Sequence, residues 1–187
     1  MDEKELLVEE RGDIALFILN RPGRRNAPFT SMLVSLALNL EEMEKNGNIR
    51  VVVIKGAGDR AFSAGIDFTG LPKGMPEELL ERIESKGPLQ YTLDAIEASG
   101  LPVIAMIRGY ILRGGCELSR ACDLRVGSED CMMGMPHALG DRLSAGGAGP
   151  VYKKRGSFHH EVALPHRAIL QWRGGPAHGP SAFRGAR

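Results

Sequence analysis

The chain has 187 residues, 24 basic and 23 acidic side chains, and a formal net charge of +1 at pH 7. That length suits one domain with an appendage, and the near balance of charge gives no electrostatic reason to expect nucleic acid or an anionic membrane as partner. No apolar run approaches the roughly 18 residues of a membrane span, and Met1-Asp2-Glu3-Lys4-Glu5 lacks the basic start and apolar stretch of a signal peptide, so a cytoplasmic protein is expected. Cys116, Cys122 and Cys131 are odd in number and match no zinc spacing; they read as free, mostly buried thiols in a reducing compartment. His159-His160-Glu161 is a poor metal cluster, because adjacent residues rarely converge on one ion. No metal and no cofactor are expected.

In chain order, Glu5–Glu10 and Ile14–Asn20 flank Gly12-Asp13 and predict a β-hairpin. Thr30 is placed to cap a helix whose apolar positions Leu33, Leu36, Leu40 and Met43 recur at helical spacing, with Asn46-Gly47 closing it. Val51-Val52-Val53-Ile54, unbroken and β-branched, predicts a strand buried on both faces. Pro76 can open a helix carrying Leu79, Leu80 and Ile83, which Gly87-Pro88 breaks; a second helix carries Leu89, Leu93 and Ile96. Val103–Ile107 is another buried strand, followed by a short helix over Cys116–Ala121 and a strand-like Asp123–Val126. Strands separated by helices predict an α/β architecture with parallel pairing.

Two glycine-containing loops follow the two buried strands, where α/β sheets usually bind ligands. They are Asp59–Phe68 and Gly109–Leu118. Neither carries the Gly-x-Gly-x-x-Gly of a dinucleotide site or the Gly-Lys-Ser/Thr ending of a phosphate loop.

Four segments, in order and at compatible spacing, resemble one family. They are Asn20-Arg21-Pro22 with Asn26-Ala27; Ala61-Phe62-Ser63-Ala64-Gly65-Ile66-Asp67; Pro102–Ala105 through Gly114-Gly115-Cys116-Glu117-Leu118 to Ala121-Cys122-Asp123-Leu124-Arg125; and Gly134-Met135-Pro136. Together they resemble the enoyl-CoA hydratase/isomerase (crotonase) family. The resemblance implies a ββα spiral core over residues 1–136 and an acyl-CoA thioester as substrate. It also implies an oxyanion hole that stabilises a thioester enolate through two backbone N–H donors, here Ile66 and Gly114. Glu117 corresponds to the first catalytic glutamate. His137 stands where hydratases carry the second; histidine suits acid–base work near neutral pH, but hydration by two glutamates is not expected. The CoA moiety would lie along Arg24, Arg25 and Ala27 and the backbone of Ala64, Asp67 and Phe68. The family also implies a homotrimer or hexamer.

Two departures accompany the resemblance. The family usually has three glycines where this chain has Arg113-Gly114-Gly115. Residues 137–187 hold all five histidines, eight basic residues and only two acidic ones, and the last 17 residues, from Gln171, contain no Val, Ile, Leu, Met, Asp or Glu. That composition supplies no core face, so a divergent, poorly ordered segment is expected there, in place of the family's C-terminal helices. A shifted reading frame or a divergent tail would account for it. The expected function is an enolate-stabilising acyl-CoA enzyme; the alternatives are an inactive CoA-thioester-binding or assembly subunit, or a non-functional truncated product.

Overall fold

A computed structural model describes residues 5–67, 77–134 and 169–171. The predicted hairpin is present as β1 (Leu6–Arg11) and β2 (Ile14–Leu19), paired antiparallel from Leu6↔Leu19 to Arg11↔Ile14. A 3-10 turn over Pro22–Arg24 leads to helix α1 (Thr30–Asn46), which buries Met32, Leu33, Leu36, Ala37, Leu40 and Met43. The cap assignment differs from the expected one. Phe29, extended at φ −103° and ψ 177°, is the N-cap, and Thr30 is already helical and buried. The cause is tertiary: Phe29 bridges to Asp67, whose N–H donates to Pro28 O at 2.9 Å, so the chain is held extended until Phe29.

From β3 onward the chain repeats a strand–strand–helix unit. Strand β3 (Val51–Gly56) is followed by β4 (Ala61–Ser63), then α2 (Glu77–Lys86) and α3 (Pro88–Ala98). Next come β5 (Val103–Ile107), β6 (Tyr110–Leu112), α4 (Gly114–Ala121), β7 (Leu124–Gly127) and β8 (Met132–Gly134). Each turn adds one strand to each of two sheets, a larger one ordered β1-β2-β3-β5-β7-β9, where β9 is Ile169–Gln171, and a smaller one ordered β4-β6-β8. All pairings except β1·β2 are parallel. Strands β4 and β6 fall inside the two segments that the sequence presents as loops, and β8 in a stretch it leaves unassigned; three residues are too short to show any periodicity.

Strand β3 departs from its expected two-sided burial. Val52 and Ile54 are fully buried, but Val51, Val53 and Lys55 on the opposite side are only partly covered. Across the sheet that same side carries Leu16, opposite Val53, and Met106, opposite Lys55 and 42% exposed. The deep face packs Phe17, Val52, Ile54 and Ala105 with Leu36, Leu40 and Ile96, one contiguous core that includes Cys116 and Leu118 of α4. This core holds α4 rigidly beside β4 and β6. Strand β9 (Ile169–Gln171) pairs parallel with β7, Arg125↔Ile169 through Gly127↔Gln171, an element the sequence reading did not assign. The rest of the 137–187 segment, and Pro76, lie outside the described residues. Among the described residues no helix is long and apolar enough to cross a membrane.

Candidate active site

The segment after β4 and the start of α4 meet at one point, and two interactions hold them there. The first is a clamp built from the 21–29 region. Asn26, 1% exposed and in the left-handed region at φ 55°, accepts from Arg21 N–H at 3.1 Å through Oδ1. Its Nδ2 donates to Ala57 O at 2.9 Å and to Ala61 O at 2.7 Å. The Arg21 guanidinium donates to Ala27 O at 2.6 Å, pairs with Asp67 at 3.1 Å and lies 4.0 Å over the Phe29 ring. The second is close packing of glycines. A Cβ on Gly114 would stand 2.5 Å from Ile66 Cγ1 and 3.5 Å from Ile66 N, so only glycine lets α4 approach the loop this closely.

Hydrogen-bond accounting along the loop singles out one donor. Ala64 N–H donates to Arg25 O at 3.0 Å, Gly65 N–H to Ser63 Oγ at 3.3 Å, and Asp67 N–H to Pro28 O at 2.9 Å. Ile66 N–H, between them, has no acceptor among the described residues, and neither has Gly114 N–H at the first position of α4. Unpaired backbone N–H groups away from bulk water are uncommon. Gly114 is buried and Ile66 half-buried. Ile66 N lies 3.5 Å from where a Cβ on Gly114 would stand, so the two donors sit close together, and one of them carries the partial positive charge of a helix N-terminus.

Glu117 follows Gly114 by three residues on α4, on the same helix face and about 4.5 Å further along the axis. Its side chain is half-buried, with no hydrogen-bond or ion-pair partner among the described residues. Arg24 and Arg25 are exposed, on the turn whose carbonyls receive Ala27 N–H and Ala64 N–H, and neither guanidinium has an ion-pair partner among the described residues. Ala27, Ala64 and Asp67 are drawn together by this network, while Phe68 and His137 lie outside the described residues. Arg21 was legible only as part of a motif. Its role as the strut of the loop required the fold, which brings it 46 positions across the sequence to Asp67.

Arg113, the unexpected residue, is the N-cap of α4 at φ 50° and ψ −125°. Few residues with a Cβ adopt that conformation, which costs on the order of 1–3 kcal/mol. Its Cβ stands 3.0 Å from where a Cβ on Gly65 would be, and Gly65 itself sits at φ 110°. Cys116, one turn along α4, is buried, and burial pushes its thiol up to about 12; its Sγ donates to the carbonyls of Ile111 at 3.3 Å and Gly134 at 3.6 Å. Iodoacetamide at pH 8 is therefore expected to leave Cys116 unmodified in the native chain and to label it rapidly in guanidinium; native labelling, mapped by peptide mass, would contradict the burial.

The layered ββα spiral is shared with known proteins, and comparison with them shows the family. The profile of the enoyl-CoA hydratase/isomerase family matches residues 9–157, continuing past Pro136, and the chain belongs to that family. YngF of Bacillus subtilis is 38% identical over 136 residues, covering 73% of this chain and 51% of that protein. The 2,3-dehydroadipyl-CoA hydratase of Escherichia coli is 34% identical over 144 residues, covering 76% and 54%. Among solved structures, an enoyl-CoA hydratase/carnithine racemase from Magnetospirillum magneticum superposes with a TM-score of 0.63 at 31% identity, covering 76% of this chain and 54% of that one. The enoyl-CoA hydratase of Bacillus anthracis gives 0.61 at 33% identity, covering 72% and 52%. The chain spans about half the length of the curated relatives it matches.

Proposed function

We propose that this chain binds an acyl-CoA thioester and stabilises its enolate, with Ile66 N–H and Gly114 N–H on the thioester oxygen and Glu117 moving the proton. The observation that carries the reading is the pair of N–H groups, on Ile66 and Gly114, that pack close together and lack an acceptor among the described residues. Preorganised donors of this kind act where negative charge develops and need no rearrangement during reaction. Glu117, without a partner among the described residues and one helical turn away, is placed to exchange a proton with the carbon next to the thioester or with a water. His137 is the candidate for a second acid–base group, and Arg24 and Arg25, with the backbone of Ala27, Ala64, Asp67 and Phe68, are the candidate CoA contacts. A cytoplasmic location and a trimer or hexamer belong to the same proposal and are read by cell fractionation and light scattering.

A second reading, a CoA-thioester binder without turnover, is favoured by one feature: the Arg113 side chain crowds Gly65 beside the donors. One experiment separates the two. Crotonyl-CoA absorbance is followed with the purified chain and with Glu117→Gln, and thermal unfolding is recorded with and without acetoacetyl-CoA. Turnover that falls about 10²–10⁴-fold in Glu117→Gln supports the enzyme. A ligand-induced rise in Tm without turnover supports the binder. A cooperative transition that acetoacetyl-CoA leaves unmoved, with no turnover, defeats both.

A further inference from the structure

Arg113 combines three properties that no structural role in the fold requires. Its backbone conformation is one that a Cβ disfavours, so the side chain leaves the chain in a direction dictated by the start of α4. Its arm then runs over the loop: Cβ and Cδ lie 3.0 Å and 3.5 Å from the position of a Cβ on Gly65, the residue directly before the free Ile66 N–H. The guanidinium, two bonds beyond Cδ, is therefore within reach of the rim of the site that Ile66 and Gly114 mark. It is exposed and has no ion-pair partner among the described residues. Glu117, one turn along α4, makes no salt bridge with it, and Asp67, the other carboxylate of the loop, is engaged by Arg21. The cation thus reaches the site from a strained backbone, with no carboxylate paired to it among the described residues.

We infer that Arg113 determines acyl specificity by pairing with a carboxylate carried on a short acyl chain, so that the preferred thioesters are those of dicarboxylic acids. The inference rests on the enolate reading above, which puts the thioester oxygen at Ile66 and Gly114. A group bound at that rim is then part of the acyl end of the ligand. The phosphates of CoA lie at the far end of the pantetheine arm, where the same reading gives them Arg24 and Arg25. A guanidinium presents a planar fork of donors that matches a carboxylate bidentately, whereas an unbranched hydrocarbon chain offers it nothing and would bring apolar surface against a hydrated charge.

The test uses saturated thioesters, which bind without reacting. Affinities for glutaryl-CoA, butyryl-CoA and free CoA are measured by calorimetry on the full chain and on Arg113→Met, Arg113→Lys and Arg113→Gly, the glycine variant relieving the backbone strain and so guarding against a folding artefact. The full chain is expected to prefer glutaryl-CoA over butyryl-CoA about fivefold, the size of a partly exposed ion pair. That ratio should fall to near one in Arg113→Met and Arg113→Gly, and to an intermediate value in Arg113→Lys. Equal affinities in the unaltered chain, or a loss in Arg113→Met shared alike by glutaryl-CoA, butyryl-CoA and CoA, would overturn the specificity role while leaving the enolate reading standing. If neither acyl thioester binds more tightly than free CoA, the enolate reading falls and this inference with it.

Discussion

Gly114→Ala is expected to lower turnover by about 10²–10³, the usual consequence of losing one oxyanion donor. The added methyl would stand 2.5 Å from Ile66 Cγ1 and 2.9 Å from its Cδ1. Those distances are inside contact, so either the loop or the first turn of α4 moves, and each movement carries an N–H with it. The effect should fall on kcat, because the donors matter most when charge has developed on the oxygen. A second substitution identifies the cause. Ile66→Ala removes the atoms in conflict while keeping the backbone N–H, so the double variant should recover part of the loss, an interaction visible as non-additivity in the cycle. Steady-state kinetics on crotonyl-CoA give all four values; unchanged kcat in Gly114→Ala would remove Gly114 from the site.

Asn26→Ala is expected to cost about 3–5 kcal/mol of folding stability. The side chain is 1% exposed and makes three hydrogen bonds, from Arg21 N–H and to the carbonyls of Ala57 and Ala61. Truncation leaves all three backbone partners unsatisfied, at about 1–3 kcal/mol each before any relaxation. It also puts an alanine at φ 55°, where asparagine is tolerated and alanine is disfavoured. Urea unfolding of the two chains gives the difference directly; a loss below about 1 kcal/mol would mean that the clamp is replaced by water. Because the same clamp adjoins Arg25, whose carbonyl receives Ala64 N–H, Asn26→Ala should also weaken thioester binding at temperatures where the variant remains folded. Arg21→Lys is a milder companion: the cation near Asp67 is kept, but the guanidinium stacked on Phe29 is lost.

The deep face of the larger sheet explains why the site tolerates such local strain. Val52, Ile54, Ala105 and Leu118 are fully buried in one core with Phe17 and Leu36. Deformation at Arg113 or Gly65 would have to propagate into that close-packed set, which resists it. The strain is held by the scaffold, as expected where geometry rather than local preference sets a residue's conformation.

Much of this was legible in the sequence because it is local. The hairpin around Gly12-Asp13, helix α1 with its end at Gly47, and strands β3 and β5 follow from turn chemistry and apolar spacing, and each is found within a residue or two of its expected bounds. The family was readable because its motif residues, those around Ile66, Gly114 and Glu117 among them, stand in order at compatible spacing. Strands β4, β6 and β8 were not legible, since three residues carry no period and their pairing is entirely between distant segments. Nor could the sequence show that Phe29 rather than Thr30 caps α1, because a bridge to Asp67 decides it. The half-covered side of β3 was hidden for the same reason: β-branched residues favour a strand whether one face is packed or two. Only the tertiary structure decided that Ala64, Gly65 and Asp67 N–H find acceptors while Ile66 and Gly114 find none among the described residues. A backbone donor's partner is set by which chain segments meet in space, and no residue type announces it.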